Sequence, residues 1–158
     1  MPSSLIIDDR LHDARILIVD DEEPNVRLLI RILQKAGFSD FCGISDPRIA
    51  LDEVETFRPD LVILDLHMPW IDGFTLLDSL QRRARPDDFL PVLVLTADIT
   101  PDAKLRALSA GAHDFLSKPF DSTEVLLRIR SLLEIRRLHG TLAEQNRSLE
   151  LRVRERTR

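Results

Sequence analysis

Short, almost wholly apolar runs alternate along this chain with longer stretches in which apolar residues recur at helical spacing. Arg15-Ile16-Leu17-Ile18-Val19-Asp20, Leu61-Val62-Ile63-Leu64-Asp65 and Val92-Leu93-Val94-Leu95-Thr96 are continuous apolar runs closed by a polar side chain. Such runs predict strands buried on both faces. Weaker strands are expected at Phe41 to Ile44 and at Asp114 to Lys118. Pro24 stands in the first turn of a helix carrying Val26, Leu29, Ile30 and Leu33 on one face and stopped by Gly37. A second helix is predicted from about Pro47 to Phe57, with Ile49, Ala50 and Val54 facing inward. Gly73 to Arg83 and Asp102 to Ala110 supply two more, and a last helix begins near Ser122.

Five strands separated by helices define an α/β fold with a parallel sheet. Right-handed crossovers leave few topologies, and five units of this length suit a doubly wound sheet of order 2-1-3-4-5 with helices on both faces. A site is then expected beyond the carboxyl ends of the strands, where the strand order reverses. That rule gathers Asp20 and Asp21, Asp65, Thr96 and Lys118 on one rim, from four different strands.

Three carboxylates on one rim repel each other and call for a cation. An oxygen-only donor set without a His or Cys cluster fits a hard ion such as Mg²⁺. A nearby lysine supplies a point charge for a phosphoryl oxygen, and a threonine hydroxyl can donate to another. An aspartate among these groups can attack phosphorus and become an aspartyl phosphate. Each residue alone has a plainer explanation: acids cap and complement helix N-termini, and Asp65 or Thr96 could serve a turn. Lys118 is the odd one, because a charge closing an apolar strand needs a partner. The convergence carries the signal.

Over about residues 14–133 the chain resembles the receiver domain of two-component response regulators, the CheY-like family. The motifs are Ile18-Val19-Asp20-Asp21-Glu22, Asp65-Leu66-His67-Met68-Pro69-Trp70-Ile71-Asp72-Gly73, Thr96-Ala97 and Lys118-Pro119-Phe120. The resemblance implies that Asp65 accepts a phosphoryl group from a partner histidine kinase. It implies a Mg²⁺ site at Asp20, Asp21, Asp65 and the backbone carbonyl of His67, with Asp21 a direct ligand. Thr96 and Phe115 become the switch residues, Lys118 the phosphoryl-binding lysine, and the peptide before Pro119 is expected to be cis. Trp70 stands where relatives often carry glycine, and His67 and Asp98 occupy positions that tune phosphoryl lifetime in the family. Such a receiver is not an enzyme acting on free substrates, although it assists its own phosphorylation and dephosphorylation. An aspartyl-nucleophile phosphatase of the haloacid dehalogenase type needs a second acid two residues on, where His67 stands. The alternative is a receiver that only docks or dimerises without turning over phosphate, against which the intact acidic pair, Thr96 and Lys118 argue.

Charge and composition refine the outline. Residues 1–127 hold 13 Lys/Arg against 23 Asp/Glu, and residues 128–158 hold 9 Arg against 4 Glu. An acidic globule with a basic tail argues against nucleic-acid binding by this part. No apolar stretch approaches the roughly 20 residues of a membrane span, the N-terminus is no secretory signal, and Cys42 is the single cysteine. A cytoplasmic location is expected. The last helix is expected to run on into a coiled-coil-like tail: Ile135, Leu138, Leu142 and Leu149, with Gln145 and Arg152 at the other seam positions, follow seam spacing. The expected division is an N-terminal tail (1–13), a receiver (14–133) and a helical linker (134–158) to an output domain. That linker is similar to those preceding cyclic-di-GMP phosphodiesterase domains of the HD-GYP type, and similar linkers also precede diguanylate cyclase and histidine kinase modules. A parallel homodimer through the coil and the face made by the fourth helix, fifth strand and fifth helix, strengthened by phosphorylation, is expected.

Overall fold

Among the described residues, five strands and five α-helices alternate. The strands are β1 (Arg15–Val19), β2 (Asp40–Ile44), β3 (Leu61–Leu64), β4 (Val92–Thr96) and β5 (Asp114–Ser117). The helices are α1 (Glu23–Ala36), α2 (Ala50–Phe57), α3 (Gly73–Arg83), α4 (Pro101–Ser109) and α5 (Ser122–Arg156). The computed structural model describes residues 9–69, 71–83, 89–97 and 100–156. Every strand pairing is parallel, and the sheet order is β2-β1-β3-β4-β5, as the pattern predicts.

Parallel strands require crossovers, so helices cover both faces and each apolar run divides between two cores. Ile16, Ile18, Leu61, Ile63, Leu93 and Leu95 face α1 and α5, where Leu29, Leu33, Val125 and Ile129 meet them. Leu17, Val19, Val62, Leu64, Val92 and Val94 face α2, α3 and α4, against Ala50, Leu76, Leu77 and Ala107. The register then sets the rim. Val19 lies opposite Leu64, so Asp20 and Asp65 leave the sheet at one level. Thr96 lies opposite Ser117, which puts Lys118 one residue beyond. The Lys118–Pro119 peptide is cis.

Two expectations need adjustment. Ile49, expected to face inward, is 43% exposed. The chain enters α2 through a 3₁₀ turn over Pro47–Ile49, capped by Asp46, whose side chain accepts from Arg48 N–H. Three residues per turn bring Pro47 and Ala50 onto one face, and both are buried while Ile49 rotates outward. The segment expected to be a tail is also folded in part. Asp9–Leu11 forms a 3₁₀ turn, and Leu11 joins the core at 4% exposure.

Helix α5 changes character along its length. Val125, Leu126, Ile129, Leu132 and Leu133 are buried, whereas Ile135, Leu138, Leu142 and Leu149 are each at least half exposed. The part beyond Leu133 is a stalk.

Candidate functional site

Asp20 and Asp65 follow β1 and β3 directly, and backbone hydrogen bonds pin both at the rim. Asp20 N–H donates to the Ile44 carbonyl at 3.2 Å, and Asp65 N–H donates to the Val19 carbonyl at 3.0 Å. Both carboxylates are buried, and half-buried Asp21 completes a trio whose oxygens lie within 4.8 Å of one another. Lys118 enters from β5. Its Nζ donates to Asp20 Oδ2 at 2.9 Å and lies 3.3 Å from Asp65 Oδ2. The Lys118 N–H donates to the Thr96 carbonyl at 2.9 Å, which fixes where that side chain starts.

The other carboxylate oxygens are held by the backbone. Asp20 Oδ1 accepts from Glu22 N–H at 2.9 Å, and Asp65 Oδ1 accepts from His67 N–H at 3.2 Å. Asp20 is therefore no helix cap: the N-cap of α1 is Glu22, which makes no side-chain capping bond. Burial raises the pKa of Asp65 above the ordinary carboxylate value, against the pull of Lys118 and the His67 N–H, and the Asp20 charge adds to the rise. For Lys118, burial opposes the charge, but the hydrogen bond and charge of Asp20, with the charge of Asp65, outweigh it and raise the ammonium pKa. One ammonium cannot balance three carboxylates. An oxygen-only donor set with residual negative charge fits a hard divalent cation.

Thr96 is fully buried at the end of β4. A cleft of about 520 Å³ opens over Asp65 and Lys118, bounded by Glu22, Asn25, Leu28, His67, Ala97, Pro119 and Phe120. The His67 side chain is exposed, while its backbone serves Asp65. Phe115 is half-buried against the α2–α4 side of the sheet. Trp70 and Asp98 lie outside the described residues. Asn25 and Leu28 were not legible as cleft residues. Asn25 Nδ2 donates to Glu22 Oε2 at 3.0 Å, and the only signal for it is its place one turn into the helix that follows the acids.

Residues 16–130 match the family model of the response regulator receiver domain, and the chain belongs to that family. It is 44% identical over 120 residues to the response regulator MprA of Mycolicibacterium vanbaalenii, covering 76% of this chain and 50% of that one. It is 38% identical over 121 residues to the alkaline phosphatase synthesis transcriptional regulatory protein PhoP of Bacillus subtilis, covering 77% and 49%. The chain thus spans about half the length of these relatives. Among solved structures, the BeF₃-activated N-terminal receiver domain of Klebsiella pneumoniae RstA superposes with a TM-score of 0.69 at 27% identity, covering 75% of this chain and 97% of that one. Phosphorylation on an aspartate is typical of this family, whose members bind Mg²⁺ at an acidic pocket and interact with histidine kinases. Among the described residues no helix is long and apolar enough to cross a membrane.

Proposed function

We propose that Asp65 is the phosphoacceptor and that a partner histidine kinase is the donor. The observation that carries this reading is the meeting of one lysine and three carboxylates on an open cleft, with Lys118 Nζ 3.3 Å from Asp65 Oδ2. An Asp65 carboxylate oxygen attacks the phosphorus of a phosphohistidine. The P–O bond forms as the P–N bond breaks, and the leaving imidazole nitrogen keeps the electron pair of that bond. Lys118 and the Thr96 hydroxyl hold phosphoryl oxygens, and the His67 N–H orients the attacking carboxylate. Asp20, Asp21, Asp65 and the backbone carbonyl of His67 would hold Mg²⁺, which when bound neutralises charge on the phosphoryl group. Thr96 and Phe115 carry the change outward to the face made by α4, β5 and α5.

The same reading divides the chain into residues 1–13, a cytoplasmic receiver at 14–133 and a linker at 134–158 that leads to an output domain. The relatives, about twice as long as the matched part, support an output domain; an HD-GYP phosphodiesterase is one candidate for it, beside a diguanylate cyclase or a histidine kinase module. Exposed Leu105, Leu108 and Leu127 on α4 and α5, together with the exposed stalk leucines, support a parallel homodimer. The chemistry is tested by intact mass. With Mg²⁺ and acetyl phosphate the chain gains one phosphoryl group, and Asp65→Asn does not. Label on a histidine or serine instead would overturn the assignment.

A further inference from the structure

The strands that deliver the site at one rim of the sheet reach the stalk at the other. Asp60 precedes β3, and its N–H donates to the Arg15 carbonyl at 2.7 Å while its Oδ2 accepts from Arg15 N–H at 2.8 Å. The other oxygen, Oδ1, accepts from Arg136 Nε of the stalk at 3.0 Å. Arg136 Nη1 also donates to the carbonyl of Phe89, ahead of β4. The Phe89 ring meets His113 edge-on, 4.6 Å between centroids, and lies 5.6 Å from the ring of His139 on the stalk. His113 immediately precedes β5, and its Nδ1 accepts from Val92 N–H at 3.1 Å. The entry points of β1, β3, β4 and β5 therefore converge on the first turn of the stalk.

Among the described residues, the aliphatic side chains of the stalk's first turn are only half covered. Leu133 is buried, but Ile135 and Leu138 are 50% and 51% exposed, and a cleft of about 370 Å³ opens between residues 10–14 and the stalk. Successive helical residues lie about 100° apart. Arg136, His139 and Gly140 thus share the face turned to the sheet, and Ile135, Leu138 and Leu142 share another. The guanidinium fork suits the task, since one planar group reaches the Asp60 carboxylate and the Phe89 carbonyl together. We infer that Asp60, Arg136 and Phe89 form a clamp that fixes the stalk to the base of the four site-bearing strands, so that receiver and stalk turn as one body while the apolar seam stays free. The clamp goes beyond the phosphoacceptor reading and stands without it.

Millisecond hydrogen exchange on the full chain reads the clamp directly, with no phosphodonor present and with Leu142→Asn and Leu149→Asn as a common background that cannot pair through the seam. Asp60→Asn leaves an oxygen for the Arg15 N–H while removing the charge that faces Arg136. In Asp60→Asn and in Arg136→Met, amides 135–141 should exchange roughly five- to tenfold faster, the scale of one partly buried charged hydrogen-bonded pair, with strand amides unchanged. The double variant should be no faster than Arg136→Met alone, because Asp60→Asn removes only a contact that Arg136→Met already removes. Unchanged exchange in the single variants, or additive acceleration in the double, would overturn the clamp. Equal acceleration in the strands would overturn it too, because the node would then serve only the fold. The phosphoacceptor assignment is read separately, by mass, so the two can fail independently.

Discussion

Asp21 brings a third carboxylate to a pocket whose single ammonium is already shared by Asp20 and Asp65. In the absence of metal its charge opposes folding. Asp21→Asn should raise the melting temperature in EDTA by about 2–4 °C, corresponding to roughly 1 kcal/mol for a domain of this size. Mg²⁺ at a hundredfold excess over its dissociation constant should stabilise the wild type by about 2.7 kcal/mol and the variant far less. Equal Mg²⁺ shifts in both would remove Asp21 from the metal site. His113 gives a second prediction, at the other rim. Burial lowers its pKa below the ordinary 6.5, and its Nδ1 must stay unprotonated to accept the Val92 N–H. The unfolded chain therefore binds this proton first: stability is full above pH 6.5 and falls as pH drops below it. His113→Gln should flatten that part of a urea-derived stability curve between pH 7 and 5, and an unchanged slope would show that His113 is not the titrating group. Residues of the two rims differ in how legible they are. A charge that closes an apolar run stands out, which is why Asp20, Asp65 and Lys118 can be read from the sequence. Asp60 opens an apolar run rather than closing one, Arg136 is one of several arginines in the last helix, and the two meet across 76 positions, so nothing local marks them as partners.

Among the elements, the three apolar runs announce strands, but an uninterrupted run cannot say which residues face which helix layer. The parity that sends Leu17 to one core and Ile18 to the other comes only from the pairing. The phase of α2 fails for a related reason: 3.6-residue periodicity does not foresee the tighter 3₁₀ entry that turns Ile49 outward. The start of α3 is a closer constraint. Gly73 N–H donates to the Leu66 carbonyl at 3.2 Å, and a Cβ there would lie 2.4 Å from Leu66 Cα. Backbone meets backbone, so no side chain can yield. Gly73→Ala should destabilise the fold by about 1–3 kcal/mol through overpacking and displace the loop that follows Asp65. Chemical denaturation tests the first effect, and the rate of labelling by acetyl phosphate tests the second. A variant of wild-type stability would show that the loop relaxes without strain.

At the scale of the whole molecule, the proposed homodimer would rest on the stalk. In heptad terms Ile135, Leu142 and Leu149 occupy a positions and Leu138 a d position, with Gln145 at the next d weakening the seam while helping to fix its register. Gly140 then falls at f, on the outside of a pair, and a Cβ there would meet nothing within 4 Å. Its substitution changes helix propensity and no contact. An exposed helix of about three heptads is marginal in water, so in the proposed homodimer its helicity would be reinforced by pairing. Gly140→Ala favours the helix by about 1 kcal/mol per chain, or about 2 kcal/mol per dimer, which corresponds to roughly thirtyfold tighter association. Leu142→Asn should weaken association at the seam itself, and truncation after Glu134 should abolish the stalk's share. Light scattering over a concentration series, with and without beryllofluoride, measures all three. If Leu142→Asn weakens the dimer while Gly140→Ala leaves it unchanged, the stalk is already helical in the single chain, as a strong clamp at Arg136 would make it. If neither changes the association, the seam is not the interface and the coiled-coil dimer is wrong.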